Sequence, residues 1–338
     1  MTLLARNERL AASAGATGVV RVEGGAAPDL ADDETVLVLC GAHVYDRRVA
    51  SAIPRDEAGE SLALTSGDRA LPVFHGRFRE ARGLLDAQSS EELAARAHRI
   101  AQRTRSAGER LVDVDVRDAA SAARATDALW ESCRKPIDGY VSRYLNRHVS
   151  LFVSRRIVDT GIRPNHVSIL CIVLGVVGAL LAAQGSYWFF LAGALVFQAN
   201  SIIDGIDGEL ARVRWQGSKT GELLDSAGDN LSNFSFFIAT AWVAFRAHDT
   251  LFATLGAAGL SLWALYLAFL YGNLAKMGRG DVLLVRTALD RVATGPVAAS
   301  VRFLRALVRR DSFVFATLVF AALGVPRAIL VMVAIGAR

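Results

Sequence analysis

The chain has 338 residues, 52% of them hydrophobic, and a net charge of +5. That length allows two domains or one large one. No basic run interleaved with aromatics and no RNA-binding motif accompanies the positive balance. This argues against nucleic acid and for loops facing anionic lipid head groups. The three cysteines, Cys40, Cys133 and Cys171, are odd in number and widely spaced, which points to neither a disulfide framework nor a zinc site.

Charge and alanine dominate residues 1–163, and long apolar runs begin at Val167, so the composition predicts a soluble front half and a membrane back half. The first residues, MTLLARNERL, carry charge too early for a signal peptide, so the front half is expected in the cytoplasm. Within it, residues 34–40 (ETVLVLC) form a short apolar run of strand type, and residues 108–116 (GERLVDVDV) alternate like another. Residues 89–107 and 118–133 have helical spacing, the first with acids early and bases late. Residues 22–34 read as a loop. Over 135–163, Val141, Leu145, Val149, Phe152, Val153 and Ile157 recur at helical spacing with arginines between them, as in an amphipathic helix lying at a membrane interface.

The apolar runs are 167–184, 187–203, 231–245, 251–275, 312–325 and 328–337. A span needs about 20 residues, so the fifth and sixth are short and the third needs a helix that starts near Asp225. Pro164 opens the first. Basic residues crowd 276–311 and occur again in 204–224, which puts both segments on the cytoplasmic side. Trp188, Trp215 and Trp242 fall near span ends as interfacial anchors. Gly175, Gly178 and Gly193 suit close helix packing. The six histidines show no ligand spacing.

Residues 204–229, DGIDGELARVRWQGSKTGELLDSAGD, follow the second run and gather four aspartates at the bilayer edge. Asp204 and Asp207 are three apart, and Asp225 and Asp229 are four apart, so each pair shares a helix face. A short loop makes the two helices antiparallel neighbours. Four carboxylates brought together there repel one another and are costly to desolvate, and bound cations relieve both costs. Oxygen-only ligands suit Mg²⁺ or Mn²⁺, and two such ions clamp a transferring phosphoryl group. Helix-end capping explains Asp225 and Asp229 equally well but not Asp204 and Asp207, which lie towards a helix C-terminus. Gly205, Gly208 and Gly221 leave room for close approach, and Arg212 suits phosphate oxygens. A cation transporter is the competing class. It predicts acids near span centres and paired broken helices, and neither pattern occurs here.

The spacing D-x2-D-G-x2-A-R-x8-G-x3-D-x3-D is that of the CDP-alcohol phosphotransferase family, and Asp204, Asp207, Gly208, Ala211, Arg212, Gly221, Asp225 and Asp229 fill every fixed position. The resemblance covers residues 135–338. It implies an all-α membrane domain of six transmembrane helices over 164–338, a homodimer and a two-metal site. Asp204, Asp207 and Asp225 would be metal ligands, and Asp229 a ligand or the general base that deprotonates the acceptor alcohol as CMP leaves. Asp204, Gly208, Ala211, Arg212 and Gly221 would line the CDP pocket, joined by Asn165 of the PN pair that opens the first helix. Arg143, Arg147, Arg155, Lys219 and Arg279, with Arg156 and Arg286, are candidates for an acceptor phosphate. Residues 1–134 resemble the later part of the nucleotidyltransferase domain in fused inositol-phosphate cytidylyltransferase / di-myo-inositol-phosphate-phosphate synthase proteins. They lack a GxGxR loop, and Cys40–Gly41–Ala42 stands where a metal-binding aspartate is expected, which implies a degenerate α/β domain. The donor is then CDP-inositol with a phosphorylated polyol acceptor, or CDP-diacylglycerol in a phosphatidylinositol phosphate synthase reaction.

Overall fold

The computed structural model describes residues 3–22, 28–54, 60–108, 111–135, 138–277 and 309–336. The chain divides into two compact units: residues 1–133 together with Arg212–Trp215, and residues 134–211 together with 216–338.

The first unit is α/β. Its strands are β1 (Thr35–Leu39), β2 (His43–Tyr45), β3 (Leu62–Ser66), β4 (Arg69–Arg77), β5 (Arg103–Ser106) and β6 (Asp113–Asp115). Its helices are α1 (Leu3–Ser13), α2 (Arg48–Ala52), α3 (Phe78–Ala81), α4 (Ser90–Ile100) and α5 (Ala119–Glu131). A four-stranded sheet runs β1-β4-β3-β5, antiparallel except for the parallel β3–β5 pair, and β2 pairs with β6 separately. Alternation along β3 feeds two cores, because Leu62 and Leu64 pack with Leu10, Tyr45, Val49 and Val73 while Ala63 packs with Phe74, Leu84, Leu93 and Ala97. The β3–β4 hairpin turns at Gly67, whose φ of 56° lies in the left-handed region that a two-residue hairpin loop requires.

The strand read over 34–40 and the helix read over 118–133 are both present. The helix read over 89–107 is shorter than expected. Ser89 caps it by accepting from the Glu92 amide at 3.1 Å, and it stops at Ile100. Arg103–Ser106 is instead an exposed edge strand, where backbone pairing with β3 outweighs a side-chain pattern that carries no alternation. Of residues 108–116, Asp113–Asp115 form the strand, and 109–110 lie outside the described residues.

The second unit is helical. A π-helical turn (Ser142–Asn146) leads into α6 (Arg147–Ile157), followed by α7 (Pro164–Ala182), α8 (Tyr187–Val213), α9 (Lys219–Arg246), α10 (Thr250–Met277), α11 (Arg310–Ala322) and α12 (Arg327–Gly336). Among the described residues, three stretches are long and apolar enough to cross a membrane: α7, α8 and Thr250–Phe269 of α10. Six such helices are not found among the described residues. α9 has the length but carries Asp225, Asp229, Asn230 and Asn233, and α11 and α12 have 13 and 10 residues. The helix read over 135–163 is confined to the π turn and α6. Its apolar Leu145, Val149 and Phe152 are exposed while its polar Arg147, Ser150 and Ser154 are buried, the inverse of a soluble helix.

The glycines expected at helix contacts are where α7 meets its neighbours. A Cβ on Gly193 would lie 2.5 Å from the Gly178 carbonyl and 2.8 Å from the Ala182 amide, so α7 and α8 cross backbone to backbone. Gly175 likewise leaves no room for a side chain against Ser232 of α9. Phe197, Phe236, Phe237, Phe190 and Val314 form the core of the bundle, with the Phe197 and Phe236 rings stacked at 4.5 Å.

Candidate active site

Two features of local sequence bring the acidic residues together. First, α8 continues ten residues past its apolar run, so Asp204 to Arg212 are all helical. Second, Ser218 caps α9 by accepting from the Gly221 amide at 3.0 Å, which starts that helix at Lys219 and sets Asp225 and Asp229 in its second and third turns. The Phe197–Phe236 stack fixes the register of the two helices. Two turns further along each of them, Asp204 and Asp229 stand at the same level.

Asp204, Asp225 and Asp229 converge, with one carboxylate oxygen of each within 4.8 Å of the others. Asp207 is turned to α7 instead, where its buried Oδ2 accepts from Ser168 Oγ at 2.5 Å. The neighbouring residues of the signature lie as follows. Asn165 is at the second position of α7, with its Oδ1 3.1 Å from where a Gly221 Cβ would be, so the absent side chain at Gly221 keeps the two apart without a clash. Gly208, Ala211 and Arg212 follow on α8, and Arg212 Nε and Nη2 are buried with no protein hydrogen-bond partner among the described residues.

A residue that the sequence did not single out sits at the carboxylates. Arg310, the first residue of α11, directs Nη1 to Asp204 Oδ2 at 2.8 Å and to Asp229 Oδ1 at 2.6 Å. Its Nε and Nη2 are buried with no protein partner among the described residues. A cavity of about 220 Å³ opens beside it, lined by Lys135, Asp138, Gly139, Ser142, Ser201, Asp204, Asp229, Arg309, Arg310 and Asp311. The lining carries three cations, Lys135, Arg309 and Arg310, and four carboxylates, Asp138, Asp204, Asp229 and Asp311; Asp138 is already paired with Arg147, and Nε and Nη2 of Arg310 are the donors open to an anionic molecule.

The arginines proposed for an acceptor phosphate are not in this lining. Arg143 and Arg155 are exposed, and Arg156 lies over the Phe152 ring. Arg147 is buried and committed to carboxylates, with Nε and Nη2 donating to Asp138 and Nη1 donating to Glu209 at 2.7 Å. Burial works against its charge, but Asp138 and Glu209 outweigh that and hold the proton more tightly than usual. Asp138 is affected in the converse way: burial pushes its carboxyl up, and the Arg147 bonds and charge bring it below the usual range. Lys219 opens α9, and Arg279 and Arg286 lie outside the described residues.

In the first unit, the Cys40–Gly41–Ala42 segment carries no carboxylate. Asp113 is met by His43 and by Arg69 at 3.0 Å, and Asp115 by Arg117. These acids are neutralised by protein cations rather than gathered around an open position. His43, which the sequence reading left without a role, is part of this closed cluster.

Comparison with known proteins gives the same answer as the signature. A bifunctional IPC transferase and DIPP synthase of Aquifex aeolicus is 40% identical over 104 residues, 31% of this chain and 23% of that protein. A protein of the same description from Rubrobacter xylanophilus is 47% identical over 92 residues, 27% of this chain and 20% of its own. The phosphatidylinositol phosphate synthase of Mycobacterium tuberculosis is 31% identical over 111 residues, 32% of this chain and 50% of its own. The chain thus spans about a quarter of the length of the bifunctional relatives. Residues 162–336, more than half of the chain, match the family described as CDP-alcohol phosphatidyltransferase, and with the eight fixed positions of its signature on the facing ends of α8 and α9, the chain belongs to that family.

Proposed function

We propose that this chain is an integral-membrane CDP-alcohol phosphotransferase that joins a phosphate-bearing polyol to the phosphoryl group of a CDP-alcohol and releases CMP. The observation that carries the reading is the juxtaposition of the Asp204–Asp225–Asp229 cluster with a cavity into which Arg310 brings unpartnered guanidinium nitrogens beside Lys135 and Arg309. The donor set fits a hard divalent ion, because it offers only carboxylate oxygens at separations one ion can bridge. Asp204, Asp225 and Asp229 would hold such ions, and Asp207, anchored by Ser168 through Oδ2, would complete the set with its other oxygen. When bound, Mg²⁺ or Mn²⁺ supplies Lewis-acid stabilisation of the phosphoryl oxygens.

The remaining steps belong to the chain. Asn165, Gly208, Ala211, Arg212 and Gly221 hold the CDP moiety, with the unpartnered Arg212 nitrogens available to phosphate oxygens. Lys135, Arg309 and Arg310 orient the acceptor through its own phosphate. Asp229 takes the proton of the acceptor hydroxyl, the new O–P bond forms, and the P–O bond to CMP breaks. The basic residues of 276–311 support placing this chemistry on the cytoplasmic side. The names of the bifunctional relatives favour CDP-inositol as donor, and that of the mycobacterial relative favours a lipid donor. The neutralised acids of the first unit support a front domain that no longer transfers nucleotides.

The test is CMP release by the detergent-solubilised protein with Mg²⁺, with CDP-inositol and CDP-diacylglycerol each offered inositol, inositol phosphate and glycerol phosphate. Metal-dependent release confined to a phosphorylated acceptor supports the reading. Release with unphosphorylated inositol at equal efficiency overturns the role of Lys135, Arg309 and Arg310 in binding an acceptor phosphate.

A further inference from the structure

Position 209 is one of the unspecified places in the family signature, and here it is a glutamate with no exposed surface. Its carboxylate is fully engaged by one helix. Arg147 Nη1 and Ser150 Oγ each donate to Oε1 at 2.7 Å, and Ser154 Oγ donates to Oε2 at 2.6 Å. All three donors lie on the buried face of α6. Gly205 makes the approach feasible, since its absent side chain would sit 3.1 Å from Arg147 Nη1. The other edge of the same guanidinium holds Asp138 through two bonds, at 2.9 and 3.2 Å. Asp138 in turn accepts from the Lys135 amide at 2.9 Å.

Lys135, Asp138, Gly139 and Ser142 form one wall of the cavity, yet the described residues of 135–139 have no regular secondary structure to fix them. Their position is set by the Arg147–Asp138 pair on one side and by Asp311 Oδ2, which accepts from the Ser142 amide at 2.7 Å, on the other. The wall is close to Asp311: a side chain on Gly139 would collide with that carboxylate.

We propose that Glu209, Arg147 and Asp138 are positioning residues, a chain of buried charge that sets the acceptor-side wall of the cavity relative to Asp204. The proposal rests on the functional reading above for what the cavity binds, but not for the positioning itself. The alternative is that the ion pairs only hold α6 to α8. A buried ion pair that serves packing alone is replaceable by apolar residues of similar volume with little loss. A positioning chain is not, because methionine and leucine leave Asp138 without its partner.

The test compares the otherwise unaltered chain with Asp138→Asn, Arg147→Met, Glu209→Gln and the double variant Glu209→Leu/Arg147→Met, all five carrying Ser142→Cys. Three readouts are taken: the thermal unfolding midpoint in detergent, the rate of maleimide labelling of the introduced thiol resolved by mass spectrometry, and separate KM values for donor and acceptor. The double variant is expected to stay folded with a lowered midpoint, because Asp138 loses its buried cation, while labelling about 10-fold faster and raising the acceptor KM about 10-fold, as a small displacement of a binding group does. Donor KM should change by less than about 2-fold, because α8 and α9 are untouched at Asp204 and Asp229. Glu209→Gln, which keeps hydrogen-bonding capacity, should fall between. Unchanged labelling and unchanged acceptor KM in a folded double variant would overturn the proposal. So would an equal rise in both KM values, which would place the effect on the whole site. If the wild type turns over no acceptor, the functional reading fails, and the labelling rates still decide whether the wall is positioned by this chain.

Discussion

Asp204 Oδ2 and Asp229 Oδ1 each face the same guanidinium nitrogen, so Arg310 offsets the repulsion among three gathered carboxylates. Converting Asp229 to asparagine removes a proton acceptor and a ligand oxygen while keeping the shape. CMP release should fall at least about 100-fold, with the circular dichroism spectrum unchanged. Ser168 acts at one remove. It fixes the carboxylate of Asp207, and Ser168→Ala should weaken Mn²⁺ binding about 10-fold when followed by electron paramagnetic resonance, in line with the loss of other partners of metal ligands. At this scale the aspartates were legible because their chemistry depends on fixed spacing within two helices. Arg310, Arg309 and Lys135 were not legible. They reach the site from elements far apart in the chain, and a lone basic residue at a membrane edge looks the same whether it binds lipid or substrate. Arg147 was legible as a cation but not as a buried one, because its partner Glu209 occupies a position the signature leaves open.

Among the elements, the α7–α8 crossing is set by the absence of side chains. Gly193→Ala places a methyl group against the Gly178 carbonyl and the Ala182 amide, and the helices must part. A loss of about 1–3 kcal/mol is expected, measured as a fall in the unfolding midpoint in detergent. The β2–β6 layer of the first unit depends on Asp46, which accepts from the Arg48 amide and guanidinium and from the Val112 amide. Burial raises its carboxyl, but these bonds and the Arg48 charge hold it below the ordinary range. A folded-state value below the unfolded value of about 3.9 means that the native unit binds fewer protons. The contribution is therefore present above about pH 4 and lost as pH falls through the native value. The protection factor of the Val112 amide, with its intrinsic pH dependence divided out, should fall over that interval in the wild type, and Asp46→Asn should flatten the dependence. Strand β5 shows where element prediction fails. Arg103–Ser106 is polar and exposed throughout, so nothing in its pattern distinguishes an edge strand from the tail of α4. The first, second and fourth apolar runs needed no tertiary information, since length and composition alone define α7, α8 and α10.

For the molecule as a whole, ion binding is linked to folding. Three acids on two different helices come together only in the native bundle, so an ion that binds them stabilises it by mass action, by about 2.7 kcal/mol at 100 times the dissociation constant. Adding Mg²⁺ should raise the unfolding midpoint, chelation should lower it, and Asp204→Asn should remove most of the difference. No midpoint shift in the wild type would count against the carboxylates as an ion site.

The α10 helix carries a consequence of a different kind. Leu251, Leu262, Leu265 and Phe269 are exposed, Phe269 to 73%, whereas a Cβ placed on Gly256 would lie 3.0 Å from the Ala241 and Leu330 side chains, and one on Gly259 would lie 3.1 Å from the Ala334 backbone. One face of the helix is therefore free to drift through any apolar residue that lipid accepts, while the other admits almost no change in size. A saturation scan of α10 should divide along that line. Leucine, isoleucine, valine and phenylalanine would exchange freely at 262, 265 and 269, and even alanine would be selected against at 259, so the helix would diversify along one stripe and stand still along the other.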